Sequence, residues 1–307
     1  MKGKQDASVG IVIPTLNAEK DLLVLLPILF KSTVEFKCLI IDSSSSDKTV
    51  EVAKGFNVDI IVIDKSEFNH GLTREKGRMI LDTDIIVMLT QDIIPANCNF
   101  LEKLIEPIRN GDAQVAYARQ VPHDGAGLSE SYPREFNYPA VNELRSINDI
   151  NTYGVYTFFC SDSCSAYSNT ALNEIGGFQK CITHEDYFAV VKLLSKGHKI
   201  AYVSKSVVKH SHKYTFKQEF KRYYDAGYSR YENANWLKEI IIASNEERGR
   251  KMIMGLLKRA SKGQPLAIPS IILQSFVKYL GFYCGNLGNK IPIYVRKKIT
   301  TIPHYFE

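Results

Sequence analysis

The first hundred residues alternate short apolar runs with segments in which apolar residues recur at the spacing of an α-helix. The apolar runs predict buried strands, and the 3.6-residue periodicity predicts helices that cover them. Repeated strand–helix–strand units favour a mostly parallel, right-handed sheet. We therefore expect an α/β fold with a Rossmann-like central sheet flanked by helices. The predicted strands are residues 9–13, 36–41, 58–63 and 85–89, and the predicted helices are residues 18–30, 48–53 and 73–81.

Polar residues follow three of these strands at the point where each strand ends. Pro14 and Thr15 follow the first strand, Asp42 follows the second, and Asp92 comes after the run at residues 85–89. The carboxyl ends of parallel strands meet at one edge, where open α/β sheets bind ligands. Carboxylates there suit a ribose, a base or a phosphate-bound divalent cation, although an Asp such as Asp92 is equally typical of a turn cap. The chain has no GxGxxG and no GxxxxGK[ST] motif, so phosphates would need another means of neutralisation.

Charge is distributed unevenly along the chain. Residues 1–190 hold 17 Lys and Arg against 26 Asp and Glu, whereas residues 191–307 hold 22 against 7. This split predicts that the C-terminal third faces an anionic partner, which could be a nucleic acid, a phospholipid surface or a phosphorylated substrate, or that it is a solvated basic face. Six Cys residues without zinc-site spacing favour reduced thiols in the cytoplasm. Because no apolar run reaches 18 residues and the N-terminus lacks a signal-peptide pattern, we expect no membrane span.

The pattern changes twice after the first hundred residues. Residues 113–160 are rich in Gly, Pro and polar side chains, which predicts long loops and short helices. Beyond residue 214 the spacing of apolar residues is helical, including over residues 240–257. Residues 266–283 are apolar and aromatic with basic neighbours. Such a segment is typical of a contact with an anionic bilayer surface, and also of a helix that packs on the protein or on a second subunit.

Several motifs resemble glycosyltransferase family 2, whose members have the GT-A fold. The opening motifs are IVIPTLN at residues 11–17 and IIDSSSSDKT at residues 40–49. Three further segments are similar to those of bacterial rhamnosyltransferases in that family. They are FNHGLTREKG at residues 68–77, TQD at residues 90–92 and HSHKY at residues 210–214.

The resemblance extends over residues 8–230 and implies a division of the chain. A GT-A catalytic domain would occupy residues 1–214, with its nucleotide-binding part near residues 8–112 and its acceptor-binding part near residues 113–214. A mostly helical extension would occupy residues 215–307, with a membrane surface or a homodimer as its contact.

The resemblance also implies which residues carry out the chemistry. Asp186 would be the general base that inverting sugar transfer requires, and Glu185 would bind acceptor or donor beside it. Asp92 and His210 would hold Mg²⁺ or Mn²⁺, with His212 as the alternative to His210. Without the resemblance, the two acidic residues equally suit the start of a helix, and the histidines suit hydrogen bonds in a loop.

The donor site implied by the resemblance includes one departure from the family pattern. Gln91, or Thr90 in the other alignment, occupies the place of the first carboxylate of the family's Asp-x-Asp motif, which leaves fewer negative ligands for the cation. Arg74 would reach the donor's phosphate or sugar, because its planar fork matches phosphate oxygens, although a surface ion pair is its alternative. The nucleotide and donor set comprises Pro14, Thr15, Asn17, Asp42, Ser44, His70, Arg74, Gln91 and Asp162.

These residues together predict an inverting glycosyltransferase. The resemblance implies dTDP-L-rhamnose as the donor and a hydroxyl of a bacterial cell-surface polysaccharide or lipid-linked saccharide as the acceptor. The enzyme would work in the cytoplasm, at the inner face of the cell membrane. Two other classes stay open from the residues alone: a non-catalytic protein that binds sugar nucleotides, in view of Gln91, and a nucleic-acid binder that uses the basic C-terminal third. The second lacks any RNA-binding signature, so we expect no nucleic acid partner.

Overall fold

The structure is a computed structural model that describes residues 7–240 and 246–307. The chain forms two compact units. The first contains Met1–His123, Tyr138–Lys180 and Glu185–His210, and the second contains Asp124–Asn137, Cys181–His184 and Ser211–Glu307. The predicted division at residue 214 stays a prediction.

The first unit is built on one sheet, to which nine strands of the described residues contribute. Its strand order is β3-β2-β1-β4-β8-β6-β9-β5, and β7 pairs with β9. The strands β3, β2, β1 and β4 are parallel, as βαβ connections require. The strands are β1 (Val9–Thr15), β2 (Lys37–Asp42), β3 (Asp59–Val62), β4 (Ile85–Leu89), β5 (Ile94–Pro95), β6 (Val115–Val121), β7 (Glu143–Arg145), β8 (Cys164–Ser168) and β9 (Ile200–Lys209).

Helices cover this sheet and bury its apolar strands. Every residue of β4 is buried, because a strand with neighbours on both edges and helices on its faces has no solvent side. The predicted α/β fold with a central sheet flanked by helices is therefore confirmed. The helices of the first unit are α1 (Glu19–Leu29), α2 (Thr49–Lys54), α3 (His70–Leu81), α4 (Phe100–Arg109), α6 (Ile150–Tyr153), α7 (Asn169–Glu174) and α8 (Glu185–Ser195), and α5 (Leu128–Asn137) belongs to the second unit.

The second half of the sheet differs from what the composition of residues 113–160 predicts. That segment contains the buried strand β6, which pairs in parallel with β9 and antiparallel with β8. Strand β8 also runs antiparallel to β4. The loop prediction was wrong for β6, because its Ala-, Tyr- and Arg-containing sequence lacks the unbroken apolar run of a central strand.

Two helix starts also differ from the predictions. Helix α3 begins at His70, three residues earlier than predicted, because the Asn69 side chain accepts hydrogen bonds from the N–H groups of Gly71 and Leu72. Helix α2 begins at Thr49, one residue later than the predicted start at residue 48. The carboxylate of Asp47 accepts a hydrogen bond from the Thr49 N–H at 3.0 Å.

The second unit is helical over most of its length, so the predicted helical C-terminal region is confirmed. A capping box between Thr215 and Gln218 starts its first long helix. The predicted helix over residues 240–257 lies partly outside the described residues. The helices after residue 210 are α9 (Phe216–Glu232), α10 (Ala234–Ile240), α11 (Glu246–Gly263), α12 (Ile268–Asn286) and α13 (Ile293–Ile299).

One segment of the second unit bears on the prediction of no membrane span. Among the described residues, Pro265–Asn286 is long and apolar enough to cross a membrane, with a mean hydropathy of 1.3. The prediction required an uninterrupted run of 18 apolar residues. This segment has no such run, but its mean hydropathy over 18 residues is high enough for a membrane span. Length and composition alone do not distinguish a membrane span from a helix that lies on a membrane surface. The contacts of this segment with the rest of the second unit are needed to distinguish the two.

Candidate active site

Thr15 and Asp42 lie side by side at the carboxyl ends of β1 and β2. The parallel register pairs the two residues, and the Thr15 hydroxyl donates to Asp42 Oδ1 at 2.9 Å. Both side chains are buried. Asp42 also accepts from the N–H of Ser45 at 2.8 Å. The carboxylate therefore has a fixed orientation at the edge of the sheet, as a nucleotide contact requires.

The loops after β1 and β2 are held together by their own polar side chains. Asn17 and Ser44 both have left-handed backbone conformations, with φ of 51° and 54°. Asn17 Oδ1 accepts from the N–H of Ser46 at 2.9 Å, and the Ser44 hydroxyl donates to the Ile63 carbonyl at 2.7 Å. These bonds shape the backbone around the strand ends, and Pro14 lies within β1 itself.

Gln91 connects the end of β4 to the end of β1. Its Oε1 accepts from the Leu16 N–H at 2.8 Å, and its Nε2 donates to the Leu16 carbonyl at 3.2 Å and to Asp21 Oδ2 at 3.1 Å. Burial raises the pKa of Asp21, and the hydrogen bond from Gln91 counteracts that rise. A carboxylate at position 91 could accept from Leu16 but could not donate to either oxygen. These donated hydrogen bonds give Gln91 a structural role between the ends of β1 and β4.

Asp92 faces His210, whose other ring nitrogen is hydrogen-bonded to Gln120. His210 Nε2 lies 3.5 Å from Asp92 Oδ2, and His210 Nδ1 lies 3.0 Å from Gln120 Oε1. An amide oxygen only accepts, so Nδ1 carries a proton and Nε2 is the ring nitrogen that faces Asp92. The Gln120 amide is itself oriented, because its Nε2 donates to Ser161 Oγ at 2.8 Å.

This pair fits a divalent cation by the chemistry of its donor atoms. It offers one carboxylate oxygen and one imidazole nitrogen, with a buried amide that holds the proton on the other ring nitrogen. His212, the alternative ligand, belongs to the second unit, where its ring lies 5.1 Å from that of Tyr214.

Arg74 lies buried between two carboxylates. Its Nη1 is 2.9 Å from Glu185 Oε1, its Nε is 3.5 Å from Asp162 Oδ2, and Nη1 also donates to the His70 carbonyl at 3.0 Å. All three charged side chains are at most 6% exposed. The alternative of a surface ion pair is wrong, because the pair is buried. The expected contact with the donor stays a prediction, since the guanidinium is occupied by carboxylates here.

Asp186 borders this cluster and is only partly buried. Its Oδ2 accepts from the Asp162 N–H at 3.1 Å, and its Oδ1 accepts from the Tyr187 N–H at 2.7 Å. Burial and the neighbouring carboxylates of Glu185 and Asp162 raise its pKa well above the usual range of an Asp. Burial also raises the pKa of Asp162 to about 6, although the Arg74 cation lowers it. The pKa values of Asp162 and Asp186 are therefore both above those of the same carboxyls in water.

Hydrogen bonds connect the cluster with the Asp92 end of the sheet. The Thr90 N–H donates to the Ser163 carbonyl at 3.1 Å, and Gln120 binds the hydroxyl of Ser161. Asp162 lies between these two serines. The sheet therefore brings the regions around Asp92 and Asp186 to the same edge as Thr15 and Asp42, because β4 runs parallel to β1 and adjacent to it.

Sequence analysis missed two groups of supporting residues. Gln120 was hidden in the segment predicted as loop, although a lone amide at the end of β6 is a signal that could have marked it. Glu75 accepts from the Phe178 N–H at 2.9 Å and from Arg78 Nε at 2.9 Å. Gly177 has a φ of 69°, and a β-carbon there would overlap the Glu75 carboxylate. The backbone at Gly177 and Phe178 thus packs closely on Glu75.

The chain is similar in sequence to a family of known proteins. Residues 10–176, more than half of the chain, match the family described as Glycosyl transferase family 2. The chain is 36% identical over 257 residues to the O-antigen chain rhamnosyltransferase WbaN of Salmonella anatum, which covers 83% of this chain and 81% of that protein. It is 33% identical over 289 residues to the O-antigen chain rhamnosyltransferase RfbN of Salmonella typhimurium, covering 93% and 91%.

Solved structures share the architecture at low sequence identity. The mannosyltransferase PcManGT from Pyrobaculum calidifontis, in complex with GDP-Man and Mn²⁺, superposes with a TM-score of 0.63 at 12% identity, covering 93% of this chain and 88% of that one. Residues 1–349 of S. aureus TarS superpose with a TM-score of 0.54 at 13% identity, covering 92% and 91%. These likenesses confirm the predicted GT-A fold.

Proposed function

The chain belongs to glycosyl transferase family 2, and from that membership we propose that it transfers L-rhamnose from dTDP-L-rhamnose to a growing O-antigen saccharide. Its relatives at 33–36% identity are named as O-antigen chain rhamnosyltransferases. The chain is thus an enzyme of the transferase class, and the proposal concerns its donor, its acceptor and the residues that act on them. Gln91 was the reason to consider a non-catalytic protein that binds sugar nucleotides. Because its amide has a structural role, Gln91 no longer favours that alternative.

The observation that carries the mechanism is the environment of Asp186. Two backbone N–H groups orient its carboxylate, and its partial exposure leaves it open to a substrate. Its raised pKa makes it a stronger base than an ordinary Asp, which is the property that proton removal from a sugar hydroxyl needs.

The proposed reaction is a single in-line displacement with inversion at the anomeric carbon. The acceptor hydroxyl oxygen forms the new bond to that carbon while the bond from the carbon to the dTDP oxygen breaks. The electron pair of the broken bond leaves with the diphosphate, and the hydroxyl proton goes to Asp186. Positive charge builds on the sugar ring during this step, and the net negative cluster around Asp186 favours it electrostatically.

Thr15 and Asp42 would bind the nucleoside part of the donor at the ends of β1 and β2. Asp92 and His210 would hold a divalent cation, whose chemistry is to neutralise the diphosphate. An imidazole ligand favours Mn²⁺ over Mg²⁺, because Mg²⁺ prefers oxygen ligands. The Mn²⁺ in the complex of the structurally similar mannosyltransferase supports a cation requirement here.

Arg74 acts in this proposal as a positioning residue. Its ion pairs with Asp162 and Glu185 fix the two carboxylates beside the base. Asp162 in turn donates its N–H to Asp186. Arg74 therefore holds the base in place through its neighbour.

The acceptor would be a lipid-linked saccharide at the cytoplasmic face of the inner membrane. The named O-antigen role of the relatives and the basic C-terminal residues support this location. Soluble nucleotide sugars are then available on the same side as the enzyme.

The test is transfer by the purified full chain from radiolabelled dTDP-L-rhamnose to lipid-linked O-antigen saccharide, with Mn²⁺ or Mg²⁺ added. We expect label in the lipid fraction and none after Asp186→Asn, which should lower kcat by at least about a thousandfold. Calorimetry should show that Asp186→Asn still binds dTDP, because the base does not contact the nucleotide.

Asp59→Asn is the matched control, because Asp59 is exposed on β3 and outside the site; its transfer rate should equal that of the wild type. Near-normal turnover of Asp186→Asn would overturn the base assignment. Transfer from UDP- or GDP-sugars with none from dTDP-L-rhamnose would overturn the donor assignment and leave the transferase class intact.

A further inference from the structure

Helix α12 (Ile268–Asn286) has one face that is shaped for α9 (Phe216–Glu232). Gly281 and Gly285 lie on this face, and a β-carbon at either would overlap the backbone carbonyls of Phe220 and Tyr224. The backbones of the two helices are therefore in close contact along this seam, which no larger residue would allow.

The polar residues of α12 also point to this inner face. Glu219 of α9 is buried, and its Oε1 accepts from Gln274 Nε2 at 3.1 Å and lies 3.3 Å from Lys278 Nζ. Gln274 and Lys278, in the middle of α12, thus interact with α9. An ordinary surface helix has the opposite arrangement, with its polar side chains in water.

The outer face of α12 is apolar and aromatic. Ile272, Phe276, Tyr279 and Tyr283 follow one another at intervals of four, three and four residues, so they form one stripe. Their exposed fractions are 55%, 58%, 67% and 53%. Tyr279 and Tyr283 stack on each other with 6.4 Å between ring centroids. A contiguous exposed patch of this kind is typical of an interaction surface.

The surrounding charge identifies the kind of partner. Between Glu247 and Glu307 the chain has eleven Lys and Arg residues and no Asp or Glu. Lys262 and Lys290 are exposed and lie just before and just after α12 in the chain. An apolar stripe with aromatic residues and basic neighbours complements an anionic lipid surface, where acyl chains accept the rings and headgroups attract the lysines.

We propose that α12 lies in the plane of an anionic bilayer and inserts its Ile272–Phe276–Tyr279–Tyr283 stripe at the boundary between the lipid headgroups and the acyl chains. The contacts of α12 exclude a transmembrane span in this arrangement. Helix α9 packs along it and carries seven charged residues, which would enter the hydrocarbon with it. This surface goes beyond the proposed transfer reaction, and binding to lipid does not require an active enzyme.

The experiment is cosedimentation of the full chain with vesicles of phosphatidylcholine that contain about 30% phosphatidylglycerol. We expect binding to these vesicles, little binding to pure phosphatidylcholine, and release by about 0.5 M NaCl. Phe276→Ser/Tyr279→Ser should weaken binding at least about tenfold, because both rings leave the interface. Lys262→Gln and Lys290→Gln should each weaken it about fivefold.

Val141→Ser is the matched control, because Val141 is a 69% exposed apolar residue of the first unit; it should bind like the wild type. Circular dichroism melting checks that each variant is folded, and the lysine variants test the proposal independently of the aromatic ones. The proposal is wrong if the wild type binds neither vesicle, or if the aromatic variant binds as well as the wild type. Sedimentation of a wild-type dimer that the aromatic variant loses, without vesicle binding, would overturn it in favour of a second copy as the partner.

Discussion

Removal of the buried cation Arg74 should cost the first unit a large part of its stability. In Arg74→Met, Asp162 and Glu185 keep their charges in positions that are 2% and 6% exposed, but lose the guanidinium at 3.5 Å and 2.9 Å. Breaking a buried ion pair by removing one partner typically costs about 3–5 kcal/mol, because the remaining charge is uncompensated. We expect a decrease of this size in the free energy of unfolding at about pH 8.

The loss should depend on pH, and the sign follows from the pKa of Asp162. Its pKa in the folded protein is raised to about 6, above the unfolded value, so ionisation of this carboxyl opposes folding. Because Arg74 lowers that pKa, its removal raises the pKa further. Above pH 6 the wild-type carboxyl is already ionised, and only the variant continues to lose stability. The difference in unfolding free energy should therefore be larger at about pH 8 than at about pH 5.5.

Urea titrations followed by circular dichroism at the two pH values measure this difference. Glu174→Gln is the control, because it breaks the more exposed pair of Glu174 with His198 and should cost less than about 1 kcal/mol. Arg74→Met/Glu185→Gln should recover part of the loss, since it removes one of the unpaired charges. An equal loss for Arg74→Met at both pH values, with no recovery in the double variant, would refute the electrostatic account of the cluster.

The remaining predictions concern the edge of the sheet. Gln120→Leu should weaken Mn²⁺ binding about 10- to 100-fold, measured by calorimetry, because the tautomer of His210 is no longer fixed; unchanged affinity would mean that the amide does not orient the ligand. Gln91→Glu should lower stability by about 2–3 kcal/mol in urea titrations, because two donated hydrogen bonds are lost and a second carboxylate meets Asp21; a neutral outcome would contradict the bridging role. The acidic limb of kcat/KM for transfer should lie above the pH range of an ordinary Asp, because the pKa of Asp186 is raised and the base must be ionised; a limb near pH 4 would point to a different base.

The sequence alone determined the parallel half of the sheet in the first unit and the polar side chains at the ends of its strands. The apolar runs that become β1, β2 and β4 are contiguous, so local periodicity is enough to predict them and to place Thr15, Asp42 and Asp92 at their ends. Local periodicity did not predict strand β6. This strand is stabilised by pairing with β8 and β9 and not by its own hydrophobicity.

Tertiary structure decided which side chains meet. Nothing local in the sequence pairs Arg74 with Asp162 and Glu185, and a fork that suits phosphate suits buried carboxylates equally well. The same holds for Gln120 and His210, which are joined by the register of β6 and β9. In α12 the apolar and glycine residues were visible from the start, but only the packing on α9 shows that the glycines face inward and the aromatic rings outward. Periodicity gives a helix its two faces, and the shape of its neighbour selects the one that is buried.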